Sequence, residues 1–243
     1  MTTLVVGASG ATGIKLVEQL LIREQNVKIV VRSAKKLPES WKNNERLQII
    51  TASILNLSDL EMATYTQGCD AVASCLGHNM NFKGIYGQPR KLVTDTTRRL
   101  CSAIKENTAE NPVKYVLMNT TGNRNRDLEE PISFAQKCVI GLIRILLPPH
   151  ADNEKAADYL RTEIGQDNQF IEWVAVRPDG LINEDKVTDY TIQPSPTRSA
   201  IFDAGKISRI NVGHFMANLI CDDDLWNKWK GQMPVIYNQS TKN

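Results

Sequence analysis

The sequence predicts an α/β fold with a doubly wound parallel sheet, and three observations support this prediction. Short apolar strands alternate with amphipathic helices over most of the first 181 residues. The strands are apolar almost throughout, as expected where helices cover both faces of a sheet. A glycine-rich turn joins the first strand to the first helix within a unit of βαβ length. The predicted strands are residues 4–6, 27–31, 47–50, 70–76, 113–118 and 170–176.

The glycine-rich turn begins at Gly7, ends at Gly13 and contains Gly10 at its centre. In such a turn the first glycine lets the chain leave the strand, the second lets the backbone approach a pyrophosphate, and the third packs the helix closely on the strand. The pyrophosphate would lie at the positive end of the helix dipole. We therefore predict a dinucleotide-binding, Rossmann-type sheet, although a purely structural turn would also use glycine.

The end of the second strand indicates which dinucleotide binds. An acidic residue about 20 positions after the turn would accept hydrogen bonds from a ribose 2′-hydroxyl and repel a 2′-phosphate. This chain has Arg32 at that strand end, followed by Ser33, Lys35 and Lys36. A charge-assisted hydrogen bond of roughly 1.5–3 kcal/mol corresponds to about a 10- to 100-fold preference. Arg32 therefore predicts NADP rather than NAD, and a solvated basic turn is the alternative interpretation.

Composition and charge argue against several other classes of protein. The net charge of +2 over 243 residues, without a long basic run or an RNA-binding motif, predicts no nucleic-acid partner. The most apolar segment, residues 138–147, is too short to span a bilayer, so we expect no membrane partner. The three histidines have no ligand spacing, which predicts no metal site. The five cysteines form no C-x-x-C pair, and we expect them to be small buried residues of a cytoplasmic protein.

Ligands of parallel α/β sheets bind beyond the carboxyl ends of the strands. Ser53 follows the third predicted strand, near the expected position of an adenine ring. Leu76, Gly77 and His78 follow the fourth strand, and residues 119–122 follow the fifth. These strand ends are therefore where we expect binding and chemistry.

The last third of the chain is less regular. Its pattern predicts a strand at 187–192, helices at 212–221 and 225–230, and a final strand at 234–237. We expect one domain over residues 1–243, in which residues from about 182 to 243 contribute a small C-terminal substrate lobe. An apolar stripe on the predicted helix 132–147 belongs either to the core or to a pocket wall. The stripe consists of Phe134, Cys138, Leu142 and Ile145.

The chain resembles the short-chain dehydrogenase/reductase superfamily, in the atypical branch that includes NmrA-like regulators, flavin or biliverdin reductases and epimerase-like proteins. The resemblance covers most of residues 1–181. It depends on the glycine turn, on Asp70-Ala-Val with Leu76-Gly77, on Asn119-Thr-Thr-Gly122, on Lys155-Ala-Ala-Asp158 and on Val176-Arg-Pro-Asp-Gly-Leu181.

The resemblance implies roles for individual residues. Arg32 would bind the 2′-phosphate, Leu76 and Gly77 would pack near the adenosine ribose and diphosphate, and Pro178 would flank the nicotinamide. Lys155 would hold the hydroxyls of the nicotinamide ribose. The expected cofactor-binding residues are Gly7, Ser9, Gly10, Ala11, Thr12, Gly13, Arg32, Ser33, Lys36, Ser53, Leu76, Gly77, Lys155 and Pro178.

One part of the family's catalytic pattern is missing. Members that oxidise or reduce carbonyls use a Tyr-x-x-x-Lys pair, in which the lysine lowers the tyrosine pKa, together with a Ser or Thr hydroxyl. Lys155 matches the lysine and Thr120 or Thr121 matches the hydroxyl residue, but Ala151 stands at the tyrosine position. The candidate substitute proton donors are His78, His150 and Tyr86.

Two functions are consistent with these residues. The first is an NADPH-dependent reductase of a small planar or conjugated acceptor, which takes its proton from solvent or from a substitute donor. The second is a catalytically silent, NmrA-like sensor of NADP(H). In either case we expect a small-molecule ligand and a monomer or homodimer. For the enzyme we expect Lys155, Thr120, Thr121 and His78 to be the catalytic residues.

Overall fold

The computed structural model describes residues 1–78, 81–130 and 133–239 and confirms the predicted fold class. The chain alternates between strands and helices through its first two thirds, as predicted. The strands are β1 (Thr2–Val6), β2 (Asn26–Val31), β3 (Leu47–Thr51), β4 (Ala71–Ser74), β5 (Val113–Met118), β6 (Ile171–Pro178), β7 (Gly180–Ile182), β8 (Tyr190–Gln193), β9 (Lys206–Ser208) and β10 (Val235–Asn238).

Helices cover both faces of the sheet. They are α1 (Ala11–Ile22), α2 (Asp59–Thr66), α3 (Phe82–Tyr86), α4 (Leu92–Asn107), α5 (Phe134–Leu146), α6 (Pro148–Tyr159), α7 (Arg209–Cys221) and α8 (Asp223–Trp229). One core cluster joins α2, α4 and α6 to one face of the sheet, and a second joins α1, α7 and α8 to the other face. Both faces of the strands are therefore buried, which explains why the strands are apolar almost throughout.

The main sheet has eight strands in the order β3-β2-β1-β4-β5-β6-β10-β8. All neighbours are parallel except β8, which runs antiparallel to β10. The strand order reverses between β1 and β4, so a crevice opens beyond their carboxyl ends. This crevice lies where the glycine turn leaves β1.

Local sequence signals account for the starts of two helices, α2 and α6. Ser58 and Glu61 form a capping box at the start of α2. In α6, Pro148 and Pro149 occupy the first turn of the helix. Proline is well tolerated there, since the first N–H groups of a helix need no partner inside it. The two prolines therefore begin one helix as well as following the previous one.

The last third of the chain extends the main sheet. Strand β10 adds to the edge of β6, and β8 adds to β10. Strands β7 and β9 form a separate two-stranded parallel sheet. Residues 182–239 thus contribute to the central sheet, to this small sheet and to α7 and α8. The role of the region from about 182 to 243 as a substrate lobe stays a prediction.

A buried ion pair holds the loop that follows β5. Arg177, at the end of β6, is fully buried, and its guanidinium donates to both Glu130 carboxylate oxygens at 2.7 and 3.2 Å. The same guanidinium donates to the carbonyl oxygens of Met233, Asn123 and Pro194. Each of its hydrogen-bonding nitrogens is therefore satisfied, as a buried cation requires. The pair joins the loop after β5, the end of β6 and the segment before β10.

We expect Glu130→Ala to lower the free energy of unfolding by about 3–5 kcal/mol, because it leaves Arg177 charged and unpaired in the core. Glu129→Ala, which removes the exposed neighbouring carboxylate, should change the free energy of unfolding by less than about 0.5 kcal/mol. Urea unfolding followed by circular dichroism measures both. Equal stabilities of the two variants would contradict the role given to the buried pair.

Candidate cofactor and substrate site

The glycine turn leaves no room for side chains at two positions. Gly7 has φ +76°, and a Cβ there would lie 2.5 Å from the carbonyl carbon of Cys75, at the end of the neighbouring strand β4. A Cβ on Gly13 would lie 2.2 Å from the carbonyl oxygen of Gly7. Both distances are shorter than the non-bonded contacts that Cβ atoms make in proteins, so only glycine fits and backbone packs directly on backbone here. The turn therefore holds α1 close to β1 and β4.

The first turn of α1 is open to an anionic ligand. Gly10 precedes the helix and has no side chain to cap it, and no acidic residue lies in the first turn. Ser9, Gly10 and Ala11 are exposed, whereas Thr12 is buried. The free N–H groups and the helix dipole favour a phosphate at this position. The residues predicted to hold a pyrophosphate thus fit one.

The structure brings together the residues predicted for the adenosine end. Arg32 and Lys36 are exposed just after β2, and the Ser33 hydroxyl accepts a hydrogen bond from the backbone N–H of Lys35 at 3.3 Å. Ser53 follows β3, the parallel neighbour of β2, and is half-buried. All four residues therefore lie at the same edge of the sheet.

The residues after β4 divide between open and buried positions. Gly77 is exposed, and a Cβ there would meet no atom within 4 Å. Leu76 is half-buried against the core. The side chain of His78 is buried, and its Nε2 lies 2.8 Å from a carboxylate oxygen of Asp152. Of these three residues, Gly77 is the one with open space beside it for a ligand.

Asp152 is a buried acid that the sequence analysis did not identify. Its carboxylate accepts hydrogen bonds from the backbone N–H groups of Val93 and Thr94, in the first turn of α4, at 2.8 and 3.0 Å. Burial raises the pKa of this carboxyl, but the hydrogen bonds from His78, Thr94 and Val93 outweigh burial and lower it. Asp152 and His78 thereby connect α6, α4 and the end of β4. The role of His78 as a catalytic acid stays a prediction.

The two threonines after β5 have different environments. The hydroxyl of Thr121 is buried and donates to Asp179 at 3.1 Å. Asp179 also accepts hydrogen bonds from the backbone N–H groups of Gly180 and Gly205, so the carboxylate is held in one orientation. Thr120 is half-buried, and its hydroxyl oxygen accepts from the N–H of Gly122 at 3.3 Å. Thr120 therefore keeps a hydroxyl hydrogen that can be donated to a ligand.

Helix α6 carries the predicted Lys155, which is exposed. The helix is joined to the end of β5 by a hydrogen bond of 2.9 Å from the Asn119 side-chain amide to the carbonyl oxygen of Asn153. His150 lies against Gly122, with its Cε1 3.0 Å from where a Cβ of residue 122 would be. Two helix positions singled out from sequence thus contact the loop after β5: His150 at Gly122, and Asp158, whose carboxylate lies 2.9 Å from the Arg126 guanidinium. The role of Lys155 stays a prediction.

Glu154 is a second buried acid on α6. It accepts hydrogen bonds from the Arg144 guanidinium at 2.7 and 2.8 Å, and the Nε2 of His150 lies 3.5 Å away. Burial raises the pKa of the Glu154 carboxyl, but the interactions with His150 and Arg144 lower it to about 2. Glu154 is therefore a carboxylate at neutral pH and balances the charge of Arg144.

A cavity of about 220 Å³ opens beside Thr121 and Gly122. It lies beyond the carboxyl end of β5, beside the buried residues Pro178 and Asp179 at the end of β6. This is the edge of the sheet at which the glycine turn lies. The cavity is lined by Thr121, Gly122, Arg124, Glu130, Gln136, Ile140, Pro196, Thr197, Arg198, Ser199 and Ala200.

The apolar stripe on α5 belongs neither to the core nor to a described cavity wall. Phe134 and Ile145 are 82% and 79% exposed, and Leu142 and Cys138 are exposed as well. The cavity wall instead uses other positions of the same helix, among them Ile140. The expectation that all five cysteines are buried is therefore wrong for Cys138.

The glycine turn, the open helix start and the strand order define a Rossmann-type dinucleotide-binding domain. The family model described as NAD(P)H-binding matches residues 7–223, and the chain belongs to this family. An uncharacterized chloroplastic protein of Arabidopsis thaliana is 28% identical over 193 residues, which are 79% of this chain and 64% of that protein. The chain thus spans less than two thirds of the length of this curated relative.

Solved structures with the same fold include short-chain dehydrogenases/reductases, other oxidoreductases and putative epimerases. A short-chain dehydrogenase/reductase from Veillonella parvula, in complex with NADP, has a TM-score of 0.71 at 14% identity over 100% of this chain and 96% of that one. ChuY, an anaerobillin reductase from Escherichia coli O157:H7, has a TM-score of 0.68 at 15% identity over 100% of both chains. The oxidoreductase ylbE from Lactococcus lactis has a TM-score of 0.68 at 15% identity over 99% and 92% of the two chains.

None of the helices in the described ranges combines the length and the apolar character that a membrane crossing requires. The same residues bring no three His, Cys, Asp or Glu side chains together as metal ligands.

Glu154 should make stability depend on pH in the acid range. Its folded-state pKa is about 2, below its ordinary value of 4.5, so the ionised group stabilises the fold above about pH 4.5 and this contribution is lost as the pH falls toward 2. We expect wild type to be more stable than Glu154→Gln at pH 7, and the difference to shrink by about pH 3. Urea unfolding at several pH values measures this difference. Glu163→Gln, at an exposed position after α6, is the control, and a pH-independent difference for Glu154→Gln would contradict the assignment.

Proposed function

We propose that the protein is an NADPH-dependent reductase of a small planar or conjugated acceptor. The observation that carries this proposal is that the open start of α1 and the cavity beside Thr121 lie at the same edge of the sheet. A dinucleotide bound at the helix start can extend along this edge from Arg32 toward the ends of β5 and β6. Its nicotinamide would then face an acceptor in the cavity.

The proposed preference for NADPH depends on charge at the adenosine end. Arg32 and Lys36 are exposed beyond β2, where a 2′-phosphate would lie. The exposed Ser33 caps the turn that carries Lys36. Two cations on one short turn would attract a phosphate dianion and give no such advantage to a 2′-hydroxyl.

The proposed reaction needs no tyrosine. Bound NADPH supplies a hydride, and a flavin, quinone or tetrapyrrole can take the accompanying proton from solvent. Thr120 would donate its hydroxyl hydrogen to the acceptor, and Asp179 would hold Thr121 in place at the cavity wall. His150, which lies beside Gly122, would be the substitute proton donor for acceptors that need one.

The alternative is an NADP(H) sensor without turnover. It is favoured by Ala151 at the expected tyrosine position, because the usual Tyr–Lys pair is then incomplete. The exposure of Lys155 also favours it. The sensor and the reductase share the cofactor site, so they differ in turnover and not in binding.

The cofactor assignment is tested by titrating the protein with NADPH and with NADH. We expect NADPH to bind at least about tenfold more tightly, because one charge-assisted hydrogen bond gives about that factor. Arg32→Ala should remove most of the difference. Arg46→Ala, which removes an exposed cation before β3 at the opposite edge of the sheet, should preserve it. Equal affinities in wild type would contradict the assignment to NADPH.

The enzymatic assignment is tested by following NADPH oxidation at 340 nm with flavins, quinones and linear tetrapyrroles. We expect turnover with at least one acceptor, and a Thr120→Val variant with kcat lowered by about tenfold, because one hydrogen bond to the reacting acceptor is lost. Lys155→Ala should raise the KM for NADPH if Lys155 holds the nicotinamide ribose. Tight NADPH binding without turnover for any acceptor would favour the sensor.

A further inference from the structure

A strongly basic groove adjoins the cavity beside Thr121. It encloses about 420 Å³, and four of its six lining residues are cationic. We call these six residues the basic groove: Gly122, Arg124, Arg126, Lys137, Ile140 and Arg144.

Two of the four cations are neutralised by acids within the fold. Arg144 forms its paired hydrogen bonds with Glu154, which is ionised at neutral pH. Arg126 lies 2.9 Å from a carboxylate oxygen of Asp158. These two arginines therefore contribute little net charge to the groove.

The other two cations, Arg124 and Lys137, have no such partner. No carboxylate lies within 4.0 Å of either side chain in the described ranges, and every Asp and Glu of the chain lies in those ranges. The Nε of Arg124 is buried without a hydrogen-bond partner among the same residues. Because protein atoms close off the Nε, a ligand in the groove would meet the other atoms of Arg124, which is half-buried and lines both the groove and the cavity.

The basic groove and the cavity share a wall. Gly122, Arg124 and Ile140 line both of them. A single ligand can therefore place an uncharged ring in the cavity beside Thr121 and an attached group in the basic groove. Arg124, at the boundary, is positioned to contact that attached group.

We propose that the basic groove binds an anionic group, a phosphate or a carboxylate, that is attached to the acceptor. This inference rests on the proposed function, because it takes the cavity beside Thr121 as the acceptor site. Arg124 and Lys137 supply the two uncompensated charges, and Arg124 can bind two oxygens of the group at once. The acceptor is thus a conjugated ring with a negatively charged substituent.

The test compares two pairs of probes that differ mainly in this substituent. FMN and riboflavin share one ring system and differ by a phosphate, and biliverdin and its dimethyl ester differ by two carboxylates. Binding is measured with saturating NADP⁺, so that no reaction occurs, by flavin fluorescence quenching and by the biliverdin absorbance. We expect the anionic member of at least one pair to bind about tenfold more tightly than the neutral member. This preference should fall at about 0.5 M NaCl, where charges are strongly screened.

Variants then assign the preference to residues. Arg124→Ala should remove most of the anionic preference, Arg124→Lys should retain part of it, and Lys137→Ala should reduce it several-fold. Arg46→Ala, far from the groove, should keep the wild-type preference. A preference confined to the flavins would identify a phosphate site, and one confined to the biliverdins would identify a carboxylate site.

The outcomes separate this inference from the proposed function. Equal binding of both members of both pairs, binding of none of the four probes, or a preference that survives both alanine variants would overturn the inference. Turnover with NADPH and a neutral acceptor would still support the reductase in those cases. An anionic preference that depends on Arg124, found without any NADPH oxidation, would support anion binding in the basic groove and contradict the proposed reductase function.

Discussion

The site depends on the backbone contact between the glycine turn and the end of β4. Gly7 takes a left-handed conformation against Cys75, and Gly13 packs against the Gly7 carbonyl, at distances that exclude any side chain. This contact directs the start of α1 at the point where the strand order reverses. The unpartnered N–H groups of the first turn thereby face the crevice in which parallel α/β sheets bind their ligands. Dinucleotide binding follows from this placement.

Buried polar contacts hold the other strand ends around that crevice. Arg177 and Glu130 fix the loop after β5, His78 and Asp152 join the end of β4 to two helices, and Asp179 holds Thr121. Each contact joins a loop to a residue from a distant part of the chain. Loops that would otherwise be mobile are thus held on a rigid sheet, as a preorganised site requires. The loop after β5 and helix α5 line both the cavity and the basic groove.

Much of the fold could be predicted from sequence, because its signals are local. Apolar runs, the glycine turn and the capping box at Ser58 each lie within a few residues, and all of them appear in the structure. The partners of Arg177, His78 and Thr121 could not be predicted, because 47, 74 and 58 residues separate them from Glu130, Asp152 and Asp179. The exposure of the α5 stripe was also not predictable, since helical periodicity identifies an apolar face but not what covers it. The cofactor end of the site could therefore be predicted from sequence better than the substrate end.

The most direct test of the account is an amide NMR titration of ¹⁵N-labelled protein with NADP⁺. If the glycine turn and the start of α1 hold the pyrophosphate, the largest shifts should fall on the amides of residues 7–13, with a second group near Arg32. Amides at the opposite edge of the sheet, such as that of Arg46, should be unaffected. Shifts that avoid residues 7–13, or no shifts at saturating NADP⁺, would contradict the assignment of this turn as the cofactor site.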